Sequence, residues 1–330
     1  MKVVFFDTDH ALKQFAETHT IPNAELIFEK ASFNQLTLAQ LTPYLDADII
    51  SVFTHSEILN THKLSFCPNL KMIATRSTGI NHLDMKYMKK NHILVMNVPY
   101  YGAQTVAEFA FALLLNLSRH LVTATQDMAR AKVNISEYTG FDLYGKTIGI
   151  IGTGSIGRHM IALAKGFGMR ILAYDLQPDP KLKVSYLPLK ELYQQSDIIT
   201  LHIPATSKSR HMLNKKAFKQ MKRGVYIINT ARGDLIDTQS LYDAVKSGKV
   251  AGAGLDVLEN EDILLHDDIS LQNHSHDTQF LLDSAMNLKL LQHPNIIATP
   301  HIAFNTDDAL DRIMNTTFEN IKEFITQEKF

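Results

Sequence analysis

Cysteine is all but missing, Cys67 being the only one in 330 residues. A lone cysteine excludes an internal disulfide framework and suits a reducing compartment, where it reads as an inert buried thiol. A charge excess is missing as well. Lys and Arg total 33 against 34 Asp and Glu, so the balance argues for neither nucleic acid nor membrane partners. Long hydrophobic runs are also lacking. No window reaches about 18 uncharged apolar residues, and residues 106–117, the longest candidate, are interrupted by Glu108. The opening MKVVFFDTDH turns acidic before a run of signal length develops. The default expectation is a cytoplasmic protein. Its composition, 45% apolar and 20% charged, is ordinary for a globular chain, and its length suits two domains that each bury a core.

What is present centres on TIGIIGTGSIGRHMIALAKGFGMRILAYD, which starts at Thr147. Residues 148–151 form a short β-branched run bounded by glycine, the mark of a buried parallel strand. Gly152, Gly154 and Gly157 follow in the spacing G-x-G-x-x-G. Ile156, Met160, Ile161, Ala164 and Phe167 then recur at helical spacing, and Gly168 closes that helix. A second apolar run ends on Asp175, 18 residues after Gly157. In a dinucleotide site, Gly152 permits the tight turn, Gly154 lets a pyrophosphate approach, and Gly157 lets the helix pack on the sheet. The helix start offers unpaired N–H groups to phosphate. Asp175 would accept from the ribose hydroxyls and repel a 2′-phosphate, favouring NAD over NADP. A glycine-rich turn of no function is the plain alternative, but it leaves Asp175 unexplained.

Upstream, apolar runs at 3–6, 26–28, 49–53, 72–74 and 93–97 alternate with polar or helical stretches such as 84–90. That rhythm gives a doubly wound α/β unit. It has no glycine fingerprint, which makes it the candidate substrate domain. Residues 103–131 read as one long helix with Val106, Phe109, Ala110, Leu113, Leu114 and Leu117 on its apolar stripe. Strands are expected at 198–203, 225–229, 251–257 and 296–299, with helices at 215–221 and 238–247 between them. The last segment, 307–329, is helical and has no strand after it, so it is expected to return to the first domain. The expected division is a substrate domain of 1–100 plus 303–330 and a dinucleotide domain of 101–302, with a cleft between them.

Three residues fall just after strands, where open α/β sheets bind ligands: Arg232 in NTARG, Glu261 in GLDVLENE and His301 in ATPHIAF. Arg232 can hold a carboxylate as a planar fork and polarise the neighbouring carbonyl. His301 can give a proton to that carbonyl oxygen as hydride arrives, and remove it in reverse. Glu261 can bond the imidazole, fix its tautomer and stabilise the imidazolium. Singly, each has an ordinary alternative: a surface arginine, a solvated acid, a packed loop histidine. Their joint placement after three strands of a dinucleotide fold favours the chemical reading.

The segments GKTIGIIGTGSIG, NTARGDLID, GAGLDVLENE and TPHIAFNT, with STGINHLD and NVPYYGAQTVAEFAFALLL upstream, resemble the signature blocks of the D-isomer-specific 2-hydroxyacid dehydrogenases. The likeness runs over most of the chain and is greatest to the D-lactate dehydrogenase branch, through Tyr101, the YGKT lead-in, Phe304 and the long stretch between Glu261 and His301. The resemblance implies two doubly wound parallel-sheet domains, a Rossmann cofactor domain and a flavodoxin-like substrate domain. It implies NAD-dependent reduction of a 2-oxo acid, pyruvate above all, with Arg232, Glu261 and His301 in the roles just given. It implies substrate contacts from the amides of Thr78 and Gly79 and from Tyr101 and Phe304. Cofactor contacts are implied for Ser155, Ile156, Asp175, Ile203, Pro204, Thr230, Ala231 and Arg232, with the Asp256 side chain on the nicotinamide carboxamide. It further implies a homodimer. The aromatic pair Tyr101 and Phe304 suits a short apolar substrate side chain. Two alternatives stand: another 2-oxo acid (2-oxoisocaproate, phenylpyruvate, glyoxylate), or an idle NAD-sensing protein on the same fold.

The stretch HDDISLQNHSHD offers His266, Asp267, Asp268, His274, His276 and Asp277. Its spacing matches no zinc or calcium pattern. A solvated loop is expected there, and no metal site.

Overall fold

Short β-branched runs form the frame of each half of the chain, which in a computed structural model divides into two units: Met1–Tyr101 with Thr306–Phe330, and Gly102–Asn305. The structure describes residues 1–53, 59–80, 82–261 and 278–328. The histidine- and aspartate-rich stretch 266–277 lies outside the described residues.

The first unit is a parallel sheet of β1 (Lys2–Phe5), β2 (Glu25–Phe28), β3 (Ile49–Val52), β4 (Met72–Thr75) and β5 (Leu94–Met96), ordered β2-β1-β3-β4-β5. That order is the flavodoxin-like one. β3 and β4 are buried along their whole length, as strands covered on both faces must be. Alternate side chains feed two cores. Val4, Phe6, Ile50 and Ile73 meet Leu41, Leu64 and Met88 on one face. Val3, Phe5, Ile49 and Met72 meet the helix Asp307–Gln327 on the other. Thr306 caps that helix by accepting from the Ala309 N–H at 3.2 Å, and Asp307 and Asp308 suit the positive end of its dipole. Met314, Phe318, Ile321 and Ile325 form its buried stripe. Phe318 stacks on Phe5 with ring centroids 5.5 Å apart; burying such a ring contributes roughly 2–3 kcal/mol.

The second unit is a seven-stranded parallel sheet: β6 (Thr147–Ile151), β7 (Arg170–Tyr174), β8 (Ser185–Tyr186), β9 (Ile198–Leu201), β10 (Val225–Asn229), β11 (Val250–Leu255) and β12 (Ile296–Ala298). Its order is β12-β11-β10-β9-β6-β7-β8. The chain winds outward from β6 in both directions. The reversal between β6 and β9 therefore opens a crevice at the carboxyl ends of the strands, where ligands bind in such sheets. β8 is two residues long, and no apolar run announces it.

The single helix expected over 103–131 is two, Ala103–Arg119 and Leu121–Ala129, bent by 64°. His120 between them takes a left-handed φ of 53°. The Ser118 carbonyl there accepts from the Phe141 amide at 3.0 Å, and Gly140 packs so tightly on that carbonyl that a Cβ would overlap it. Packing of a distant segment on the backbone overrides the apolar periodicity. Among the described residues no single helix is long and apolar enough to cross a membrane.

Candidate active site

The glycine turn after β6 is built from close backbone contacts. Gly152 has φ 96°, and a Cβ on it would overlap the His202 carbonyl oxygen at the end of β9. A Cβ on Gly157 would overlap the Gly152 carbonyl. Gly154 differs, since a Cβ there would meet nothing within 4 Å. The helix Ser155–Gly166 starts on Gly154 with no side-chain cap and no acid in its first turn, so its leading N–H groups remain available to an anion. Ser155 is exposed and Ile156 half-buried beside them. An open backbone position followed by uncapped N–H groups is the polarity that a pyrophosphate needs.

Asp175 lies at the end of β7 and reaches back to the turn. Its Oδ2 accepts from the Thr153 N–H at 2.6 Å and the Thr153 hydroxyl at 3.0 Å, and its Oδ1 accepts from the Gln177 N–H at 2.9 Å. Burial pushes its pKa up, but these bonds outweigh burial and the net shift is downward, so the group is an anion at neutral pH. Thr153 also bonds the Tyr186 hydroxyl at 2.9 Å, and that hydroxyl accepts from the Asp179 amide at 3.1 Å. Sequence reasoning missed Thr153 and Tyr186, and neither residue type carries a signal by itself. Across the crevice, Ile203 is half-buried and Pro204 exposed, while Thr230 and Ala231 are buried. The Thr230 hydroxyl has no hydrogen-bond partner, an orphaned polar atom of the kind a bound cofactor can satisfy. Burial drives His202 down to about 3, which keeps it neutral.

The three polar residues expected at strand ends follow adjacent strands, Arg232 after β10, Glu261 after β11 and His301 after β12. His301 Nδ1 is 2.7 Å from Glu261 Oε1, and the two side chains are only 19% and 15% exposed. Glu261 Oε2 accepts from the Leu258 N–H at 2.8 Å. His301 has a left-handed φ of 54°, and its N–H donates to the Asp256 carbonyl at 2.9 Å. The buried Asp256 carboxylate grips the same loop. Its Oδ1 accepts from the Thr299 hydroxyl at 2.5 Å and the Ile302 N–H at 3.0 Å, and its Oδ2 from the Ala303 N–H at 2.8 Å. Burial raises the Asp256 pKa, partly offset by those donors. One acceptor position remains on Oδ2 for a carboxamide.

Arg232 enters from the neighbouring loop, where its carbonyl is held by Asn229 Nδ2 at 2.9 Å. The guanidinium donates to the Ala231 carbonyl at 2.6 Å and makes no ion pair among the described residues. It is a half-buried cation with no carboxylate in ion-pair reach among the described residues, whereas His301 has Glu261. Phe304 lies just beyond His301 and is half-buried.

Thr78, Gly79 and Tyr101 belong to the first unit. The loop after β4 is pinned by the Thr78 hydroxyl on the Val98 carbonyl at 2.9 Å and by Asn97 Nδ2 on the Thr78 carbonyl at 2.7 Å. The N–H groups of Thr78 and Gly79 have no acceptor among the described residues. Beneath the loop lies a buried guanidinium that sequence reasoning passed over. Arg76 is 4% exposed and donates to the Phe6 carbonyl at 2.6 Å, the Asp7 carbonyl at 3.0 Å and Ser51 Oγ at 3.1 Å. Burial lowers it to about 10, so it stays charged at neutral pH. The Tyr101 carbonyl accepts from Arg312 Nε at 2.7 Å.

The family model for the NAD binding domain of D-isomer specific 2-hydroxyacid dehydrogenases matches residues 111–303. This chain belongs to that family. The matched stretch falls inside the second unit and contains the glycine turn, Asp175, Arg232, Glu261 and His301. Curated relatives include the D-lactate dehydrogenase of Escherichia coli, 41% identical over 76% of this chain and 75% of that protein. They also include the aromatic 2-oxoacid reductase of Clostridium sporogenes, 38% identical over 79% of this chain and 77% of that one. Among solved structures, the D-lactate dehydrogenase of Aquifex aeolicus, complexed with NAD and lactic acid, superposes with a TM-score of 0.84 at 36% identity. That match covers 98% of this chain and 96% of that one. As a member of this family the protein is an NAD-dependent oxidoreductase acting on the CH–OH group of 2-hydroxy acids.

Because the Asp175 anion faces the glycine turn, Asp175→Ala is expected to narrow the preference for NADH over NADPH by about tenfold or more, roughly 1.4 kcal/mol. The measurement is the ratio of kcat/KM for the two cofactors. An unchanged ratio would assign the discrimination to another residue.

Proposed function

We propose that this protein is a D-lactate dehydrogenase that reduces pyruvate with NADH. The observation that carries the reading is the 2.7 Å contact of His301 Nδ1 with Glu261. With Nδ1 committed to the carboxylate, Nε2 is the nitrogen that gives a proton to the substrate carbonyl oxygen, and takes it back in the reverse direction. Glu261 acts through His301, holding the ring and stabilising the imidazolium. Arg232 binds the substrate carboxylate as a fork and polarises the adjacent carbonyl. The Thr78 and Gly79 amides donate to a substrate carboxylate, and Tyr101 and Phe304 line the place of the substrate side chain. Bound NADH supplies the hydride. For the cofactor, Gly152, Gly154, Ser155, Ile156 and Gly157 receive the pyrophosphate, Asp175 the adenosine ribose, and Asp256 Oδ2 the carboxamide. Ile203, Pro204, Thr230, Ala231 and the Arg232 backbone line the rest.

Pyruvate is favoured by the likeness to the E. coli and A. aeolicus proteins, and a bulkier 2-oxo acid by the C. sporogenes relative. A cytoplasmic setting accords with the single buried cysteine. A homodimer accords with the apolar side chains left exposed on and after the helix Leu121–Ala129: Leu121, Met128, Val133 and Ile135, the last of them 81% exposed.

Replacing His301 by Gln is expected to lower kcat by about 10²–10⁴-fold while NADH binding, followed by fluorescence, holds. An unchanged kcat would remove His301 from the proton-donor role. In kcat/KM over pyruvate, 2-oxoisocaproate, phenylpyruvate and glyoxylate, pyruvate should lead. A different leader would replace it as substrate, and turnover of none would overturn the dehydrogenase reading. Light scattering should give twice the 37.2 kDa of one chain; a monomer mass would dismiss the dimer.

A further inference from the structure

Behind the turn that carries Glu261 sits a second set of charged groups with no part in the chemistry above. Glu259 is 5% exposed, yet it carries a carboxylate. Its Oε1 accepts from His211 Nε2 at 2.6 Å and from Arg210 Nη2 at 3.1 Å, both offered by the loop after β9. The Glu259 carbonyl accepts from Nδ2 of the fully buried Asn287 at 2.6 Å. The β9 loop is tied in turn to the loop of Arg232. His211, at a left-handed φ of 50°, donates its N–H to the Asp234 carbonyl at 2.7 Å, and Leu213 donates to the Leu235 carbonyl at 3.0 Å. Gly233 closes the arrangement, because a Cβ on it would overlap the Leu258 carbonyl.

These contacts meet at one peptide. The Leu258–Glu259 unit is pressed by Gly233 and anchored by the Glu259 side chain. Leu258 is also the residue whose N–H holds Glu261 Oε2 at 2.8 Å. Asn260, at a left-handed φ of 52°, turns the chain so that Glu261 comes back over that amide. The position of the Leu258 N–H therefore sets the position of the carboxylate that orients His301. A buried carboxylate costs free energy unless it is paired, and charge-assisted bonds from two donors fix direction as well as distance, which an apolar contact does not.

We propose that Glu259, clamped by His211 and Arg210, is a positioning residue for the reaction: it sets the turn that presents Glu261 to His301 and ties that turn to the loop of Arg232. The inference rests on the acid–base reading of Glu261 and His301 given above.

A double-mutant cycle with Glu259→Gln and Glu261→Gln tests it, with kcat measured at saturating NADH and the fastest-turning acid of the panel above. Glu259→Gln alone is expected to lower kcat by about tenfold or more, since small misplacements near the chemistry cost factors of this size, with KM for NADH unchanged. In the Glu261→Gln background the same change should cost less than about twofold, because its route to His301 is already gone. An equal fall in both backgrounds marks a structural role independent of Glu261 and overturns the proposal, as does an undiminished kcat in the single variant. If Glu261→Gln alone keeps full kcat, the acid–base reading itself fails, and the clamp has nothing to position. His211→Asn removes one of the two donors from the opposite side and suits the left-handed backbone. It should show the same non-additivity, which keeps the test open if Glu259→Gln does not fold.

Discussion

The hydrogen bond between Glu261 and His301 is the contact on which the rest of the second unit's carboxyl edge is organised. It joins two residues 40 positions apart in the chain, on loops that the parallel sheet sets side by side after β11 and β12. Neither loop reaches its partner unaided. The buried Asp256 carboxylate gathers Thr299, Ile302 and Ala303 and so folds the His301 loop. The Leu258 amide does the same for Glu261. Fixing one imidazole in direction takes several buried polar groups, and each is satisfied by another, which is what a low-dielectric site demands.

The same sheet explains why the glycine turn and the residues Arg232, Glu261 and His301 share an edge. In a doubly wound parallel sheet every strand ends on the same side, and the reversal of winding between β6 and β9 leaves a crevice there. The glycine turn lies on one flank of that crevice. On the other flank, the strands β10, β11 and β12 deliver Arg232, Glu261 and His301 in order. Electrostatics then sort the site. Asp175 is an anion where the cofactor ribose is expected, Arg232 is a cation with no carboxylate partner among the described residues, and His301 is paired. In the first unit the buried Arg76 guanidinium is satisfied by the Phe6 and Asp7 carbonyls and Ser51 and is faced by the charges of Asp7 and Asp9.

Legibility in the sequence followed how local the physics is. The glycine turn and Asp175 could be read because strand, turn, helix and strand are contiguous and each residue type has a narrow conformational reason. Arg232, Glu261 and His301 could be placed at strand ends, though only the sheet order brings them together. The break at His120 was invisible, since the apolar stripe runs on through it and Gly140 and Phe141 cause the break from a distance. Thr153, Tyr186 and Arg76 were missed because a threonine, a tyrosine or an arginine means little until its partners are known. Glu259 illustrates the point most sharply. In the string DVLENE nothing separates it from Glu261, and only burial and the direction of its bonds show that one carboxylate faces the imidazole and the other faces inward.

The most direct test of the central contact is the tautomer of His301, read by two-bond ¹H–¹⁵N correlation in ¹⁵N-histidine-labelled protein and assigned by its disappearance in a His301-substituted chain. A carboxylate 2.7 Å from Nδ1 requires a proton on Nδ1 in the neutral ring. The expected signal is therefore the Nδ1–H tautomer with Nε2 bare. A neutral His301 carrying its proton on Nε2 would contradict the account.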